Sequence, residues 1–168
     1  MPAARDVAIG RAWRRRLPGR VRSLSALRSP REALLLVRVA AFAATVPWLM
    51  RLPLPRLAAL LDRAPPPSRR RGRADAAAEL ERLDRLVALA PRVARPLVRT
   101  GCLTRGVTLY RFLRRAGLGV ELRFGLDPRA GAADGHCWLA LDGEPLLERE
   151  DPRPRFVEVW RLPPAAAS

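Results

Sequence analysis

Residue types able to do covalent chemistry are sparse in this chain: two cysteines, Cys102 and Cys137, and one histidine, His136. Cys102 lies in RTGCLTRGVTLYRFLRRAG, from Arg99 to Gly117, which reads as a helix with the cysteine in its first turn. Thr100 is the expected N-cap, and a thiolate among first-turn amides is stabilised by their dipoles. His136 opens a strand-like run, HCWLALDGEPLLERE, behind a glycine-bearing loop, with Asp142 and Glu148 downstream. Acyl transfer by a thiol needs a nucleophile of lowered pKa, an imidazole within about 3 Å to carry the proton, and a third group to orient the imidazole. Each residue also has a plainer reading, as a small buried hydrophobe in a Leu-rich helix or as a structural histidine, and pattern alone leaves both open. Cys137 points away from His136 by strand alternation and is expected in the core.

The elements that must position these residues follow from periodicity. In the cysteine helix, Leu103, Val107, Tyr110 and Leu113 form an apolar stripe widened by Leu109 and Phe112, while Arg105, Arg111, Arg114 and Arg115 are left for the other side; Gly117 ends it. Upstream, Ser29 or Pro30 begins a helix expected to stop near Val46, ahead of Pro47, and so apolar all round that it should lie sandwiched between other elements. A short helix over Arg56 to Arg63 turns Leu57, Leu60 and Leu61 inward. APPPSRRRGR, from Ala64 to Arg73, reads as a surface linker. Ala74 to Ala90 is a helix with Leu80, Leu83, Val87 and Leu89 or Ala90 on its buried stripe and Glu79, Glu81, Arg82, Asp84 and Arg85 on its wet side. After Gly117, Val120, Leu122 and Phe124 alternate as a strand, Asp142-Gly143 makes a hairpin, and a last strand from Phe156 puts Phe156, Glu158 and Trp160 on one face.

These elements make an α+β fold, a helical N-terminal half followed by a small antiparallel sheet. The expected organisation is a basic arm over 1–30, a helical region with its Pro/Arg-rich linker over 31–73, a catalytic domain over 74–163 and a short tail over 164–168. The formal charge of +16, from 32 basic and 16 acidic residues, suits an anionic partner, although an arginine-rich composition gives the same total. Aromatic-basic interleaving typical of an RNA-binding sheet is absent, which argues against nucleic acid. Two cysteines are too few for a disulfide framework and predict a reducing, cytoplasmic setting. The N-terminal segment does not read as a secretory signal. The apolar run from Ala33 to Met50 is interrupted by Arg38, which favours a buried helix over a membrane span and leaves peripheral membrane contact as a lesser alternative.

Taken together, GCLTRGVTLYRFLRRAG, the intervening strand and GHCWLALDGEPLLE resemble the lasso-peptide biosynthesis B2 family, leader peptidases of the transglutaminase-like superfamily with a papain-like core. The resemblance implies Cys102 as nucleophile and His136 as base. It implies an acid on the strand after the Asp-Gly turn, usually aspartate, for which the matching residue here is Glu148; Asp142 is the alternative acid. Arg105 matches an arginine one turn past the cysteine, in a substrate or anchoring role, and Trp138 shares the face of His136 by alternation, to cover the imidazole, line the peptide groove or pack the core. The Cys102 amide is the expected oxyanion donor. Strand parity makes Glu148 conditional. A strict two-residue turn would put it opposite Cys137, on the wrong face, so a bulged three-residue turn through Glu144, pairing Trp138 with Glu148, is expected.

The implied reaction is removal of the leader from a ribosomally made lasso-peptide precursor, with no cofactor or metal. The implied partners are the leader peptide, a separate B1-type leader-recognition protein and an ATP-dependent lasso cyclase. The competing readings are another transglutaminase-like peptide acyl-transfer enzyme and a non-catalytic basic scaffold.

Overall fold

The computed structural model describes residues 29–61, 73–98, 100–130 and 134–163. Two compact units divide between Leu118 and Gly119, a helical one before and a sheet after, giving the α+β class. The linker expected over 64–73 falls almost wholly outside the described residues, as do the basic arm and the tail.

The first helix, α1, spans Pro30–Leu49. Ser29 caps it, its hydroxyl accepting from the Glu32 amide at 3.2 Å, and Pro30 fills a first-turn position whose amide would have no ladder partner. Pro47 sits inside the last turn rather than ending the helix at Val46. So close to the end, proline removes one ladder bond, and the Met50 amide still reaches the Val46 carbonyl at 2.9 Å. Nor is α1 sandwiched. Leu36, Val39, Ala40, Ala43 and Val46 are buried, but Leu34, Val37 and Trp48 are 53–60% exposed, because the neighbouring helices pack on one side of it. By length and composition α1 could also cross a membrane, with 33% of its apolar window buried in the protein.

Helix α2, Leu54–Leu61, starts two residues earlier than its pattern suggested, because the Pro53 carbonyl accepts from the Arg56 and Leu57 amides. Leu57 and Leu61 are fully buried. Helix α3, Arg73–Val93, buries Leu80, Leu83, Leu86, Val87, Leu89 and Ala90. It also buries Asp84, which the sequence assigned to the wet side. Helix α4, Cys102–Arg115, packs against α1 and α3. At its end the Leu118 amide bonds the Leu113 carbonyl and the Gly117 amide bonds that of Arg114, a Schellman closure that places Gly117 at φ 85°.

Arginine and acid side chains tie these helices together. Glu32, 4% exposed, accepts from Arg85 at 3.0 Å with Arg82 at 3.6 Å, linking α1 to α3. Arg111, expected on the outer side of α4, instead donates to the Leu60 carbonyl at 3.1 Å and lies over Phe42, 4.9 Å from the ring centre. Burial, with Arg115 nearby, lowers its pKa from the ordinary arginine value.

The sheet unit has four antiparallel strands in the order β3-β2-β1-β4: β1 Glu121–Leu126, β2 Gly135–Leu141, β3 Glu144–Leu146 and β4 Val157–Leu162. Leu141 pairs with Glu144, so the hairpin between β2 and β3 has a strict two-residue loop. Asp142 and Gly143 both take positive φ, 52° and 83°, as that tight turn requires. The three-residue bulged turn is therefore not what forms. A bulge does occur between β1 and β4, where Phe124 pairs with Trp160 but Gly125 pairs with Glu158. It separates Trp160, against the Phe124 ring at 5.1 Å, from Glu158, which meets Arg123 at 3.3 Å, so the two do not share the face that simple alternation gave them.

Candidate active site

In the helical unit, Cys102 is the first residue of α4 and is exposed. Gly101, not Thr100, is the N-cap, in extended backbone at φ 172° and with no side-chain cap bond. Glycine is nearly as good a cap as threonine, and its carbonyl accepts the first ladder bond from the Arg105 amide at 3.1 Å. Cys102 keeps the first-turn position that favours a thiolate. It borders a cleft of about 260 Å³ walled by Ala43, Val87, Pro91 and Val98. Thr108, fully buried, also lines this cleft, and its hydroxyl has no hydrogen-bond partner among the described residues. Arg105, at the same cleft, donates to Asp84 at 2.8 Å. That carboxylate is 6% exposed and anchors the arginine against α3.

In the sheet unit, His136 is the second residue of β2 and its Nε2 lies 3.2 Å from Glu148 Oε2. With the carboxylate ionised, Nε2–H donates and Nδ1 is left unprotonated, able to take a proton. Glu148 reaches this place by a route the sequence did not suggest. Continued β2–β3 register would carry it opposite Cys137. Leu147, immediately past β3, takes a left-handed φ of 57°, which breaks the alternation and brings the next side chain to the histidine. The deviation needed for Glu148 is thus at the end of β3 rather than in the turn. Asp142 is exposed in the turn at the far end of β2, six residues from His136, or about 20 Å along a strand.

Two aromatic rings neighbour the imidazole. Trp138, 2% exposed, stacks beside it with centroids 6.1 Å apart and planes 15° apart, and Phe156 lies 5.2 Å away on a tilted plane. Cys137 is buried at 3%, facing away from His136 as expected. The chain between Glu148 and Phe156 is fastened by two arginines. Arg153 binds Asp151 at 2.7 Å and Glu144 at 3.3 Å, contacts that raise its pKa. Arg155 binds Asp127 at 2.9 Å and Asp134 at 2.6 Å while lying over the Phe156 ring. The Arg129 amide and the Arg155 guanidinium hold the Asp127 carboxyl below its ordinary pKa.

A family model described as the transglutaminase-like superfamily matches residues 33–161. The chain belongs to that superfamily. This is the family of the lasso-peptide biosynthesis B2 proteins, and the match takes in every residue on which the resemblance rested. No curated protein and no solved structure matches the chain.

The sheet unit supplies an oriented imidazole with its acid. The helical unit supplies an exposed thiol at a helix start beside a mainly apolar cleft. No group of three His, Cys, Asp or Glu side chains among the described residues is placed to hold a metal ion. Asp84 and Phe156 were missed as supports. Asp84 was legible in principle: it falls in step with Leu80, Val87 and Pro91 on the buried side of α3, and a carboxylate in an apolar stripe calls for a cation. For Phe156 the sequence holds no such signal, because its contact with His136 depends on how the loop before β4 returns.

Proposed function

We infer that this protein is a cysteine peptidase that removes the leader segment from a ribosomally synthesised lasso-peptide precursor, with Cys102 as nucleophile, His136 as base and Glu148 as the orienting acid. The observation that carries the reading is the His136–Glu148 contact at 3.2 Å, in a transglutaminase-like chain whose exposed cysteine begins a helix. The acid engages Nε2, so Nδ1 is the ring atom available to a thiol. In the reaction, His136 Nδ1 takes the Cys102 proton as sulfur attacks the scissile carbonyl. The Cys102 amide and its first-turn neighbours stabilise the oxyanion. The imidazolium then gives its proton to the departing amine of the core peptide. Water, deprotonated by the same nitrogen, releases the leader as a carboxylic acid. The apolar cleft beside Cys102 would receive the leader segment next to the scissile bond. The proposed setting is the cytoplasm, with a B1-type recognition protein delivering the leader, a lasso cyclase consuming the core peptide, and residues 74–163 acting as the catalytic domain.

Superfamily membership also accommodates a second reading, transfer of the acyl group to another acceptor or a scaffold role for the strongly basic surface. Mass spectrometry of a candidate precursor incubated with the purified protein, with and without the recognition partner, separates them. Hydrolysis at one bond, abolished in Cys102→Ala and His136→Ala, is the expected result. An amine adduct would favour general acyl transfer, and full processing by both variants would leave the scaffold reading.

A further inference from the structure

Gly125 pairs directly with His136 across the β1–β2 ladder and is buried. A Cβ built on it would lie 2.8 Å from Trp138 Cζ3, 3.0 Å from Trp138 Cη2 and 2.9 Å from Phe156 Cβ. Two of these are closer than real carbon atoms approach, and one belongs to the first side-chain atom of Phe156, which cannot swing aside. The volume a side chain would take at 125 is thus already filled by the two residues whose rings flank the imidazole. The β-bulge between Phe124 and Gly125 falls at the same point, where β4 comes off simple register two residues after Phe156.

We propose that Gly125 is a positioning residue for His136: its missing side chain opens the slot in which Trp138 and Phe156 flank the ring, and the flanked ring is held with Nε2 on Glu148 and Nδ1 as its basic nitrogen. The proposal rests on His136 being the base of the proposed reaction, but the ring geometry it predicts can be read without any substrate. With Trp138 and Phe156 packed beside it, the ring cannot turn about its χ2 axis, a rotation that would carry Nε2 off Glu148, put carbon in its place and remove the bond that selects the Nε2–H tautomer. Filling the slot by Gly125→Ala forces Trp138 or Phe156 outward and releases that rotation.

His136 is the only histidine in the chain, so its imidazole nitrogens can be followed without ambiguity in 15N-labelled protein. The wild type should show one neutral tautomer, protonated at Nε2. Gly125→Ala should show averaging of the two tautomers and a loss of precursor cleavage of roughly 100-fold, the scale expected when a catalytic group is displaced by about 1 Å. Phe156→Ala, which removes one flanking ring without adding volume, should give the same averaging and serves if Gly125→Ala does not fold. A single Nε2–H tautomer persisting in Phe156→Ala, or in folded Gly125→Ala, would overturn the proposal. If the tautomer averages in both variants but wild-type protein cleaves no precursor, the positioning role stands and the peptidase reading fails.

Discussion

At the scale of single residues, the decisive choice is between two acids. Glu148 touches the imidazole, and Asp142 stands at the other end of the strand in a turn. Glu148→Gln keeps an acceptor near Nε2 but removes the charge that stabilises the imidazolium, so cleavage should fall by roughly 10²- to 10⁴-fold. Asp142→Asn, which tolerates the same left-handed backbone, should leave turnover within about twofold. Steady-state kinetics on the two variants checks both. Asp127 gives a pH-dependent counterpart. Its folded pKa is depressed by the Arg129 amide and then by Arg155. A depressed carboxyl stabilises the fold above the unfolded value of about 3.9, and that contribution fades as pH falls through the folded value. Asp127→Asn should therefore melt lower than wild type at neutral pH, the gap closing as the pH drops below about 4. Melting curves taken from pH 7 downward would show it; a constant gap would not fit.

At the scale of elements, apolar spacing made the helices and most of the sheet legible, because burying a stripe is the main source of their stability. The deviations were local exceptions to that spacing. Pro47 costs one bond in a last turn and does not stop the helix. Leu147 was unreadable: leucine rarely adopts positive φ, and only the surrounding chain fixes it there. The route of Glu148 to His136 was hidden for the same reason, although the residue itself was named. Asp84 illustrates a different failure, a charge placed outside because it is a charge. Its pairing with Arg105 joins α3 to α4 just behind the candidate nucleophile. Arg105→Ala strands a buried carboxylate and should cost about 2 kcal/mol, less than a fully buried pair because the arginine side chain is 38% exposed. Asp84→Leu with Arg105→Met should recover most of that loss in a denaturant titration, since two apolar groups replace the pair.

At the scale of the whole molecule, the α+β class was visible in the sequence, and the excess of positive charge was too, but not its disposition. Internal pairing accounts for several arginines: Arg85, Arg105, Arg123, Arg153 and Arg155 each hold a carboxylate. Pairing neutralises charge locally without altering the sum, so it leaves the net +16 untouched. That surplus produces a long-range field whose reach is set by salt, with a Debye length of about 10 Å at 0.1 M and 3 Å at 1 M. An acidic leader would be drawn in by it at low salt, while bond making at the thiol, over distances shorter than either screening length, would not feel the change. The expected signature is therefore a KM that rises steeply between about 0.05 and 0.5 M salt with kcat nearly constant. A precursor whose leader acids are replaced by neutral residues should start at the higher KM and lose most of the salt dependence. If kcat falls instead and KM holds, salt is acting on the fold or the site, and the surplus charge has no part in capturing the peptide.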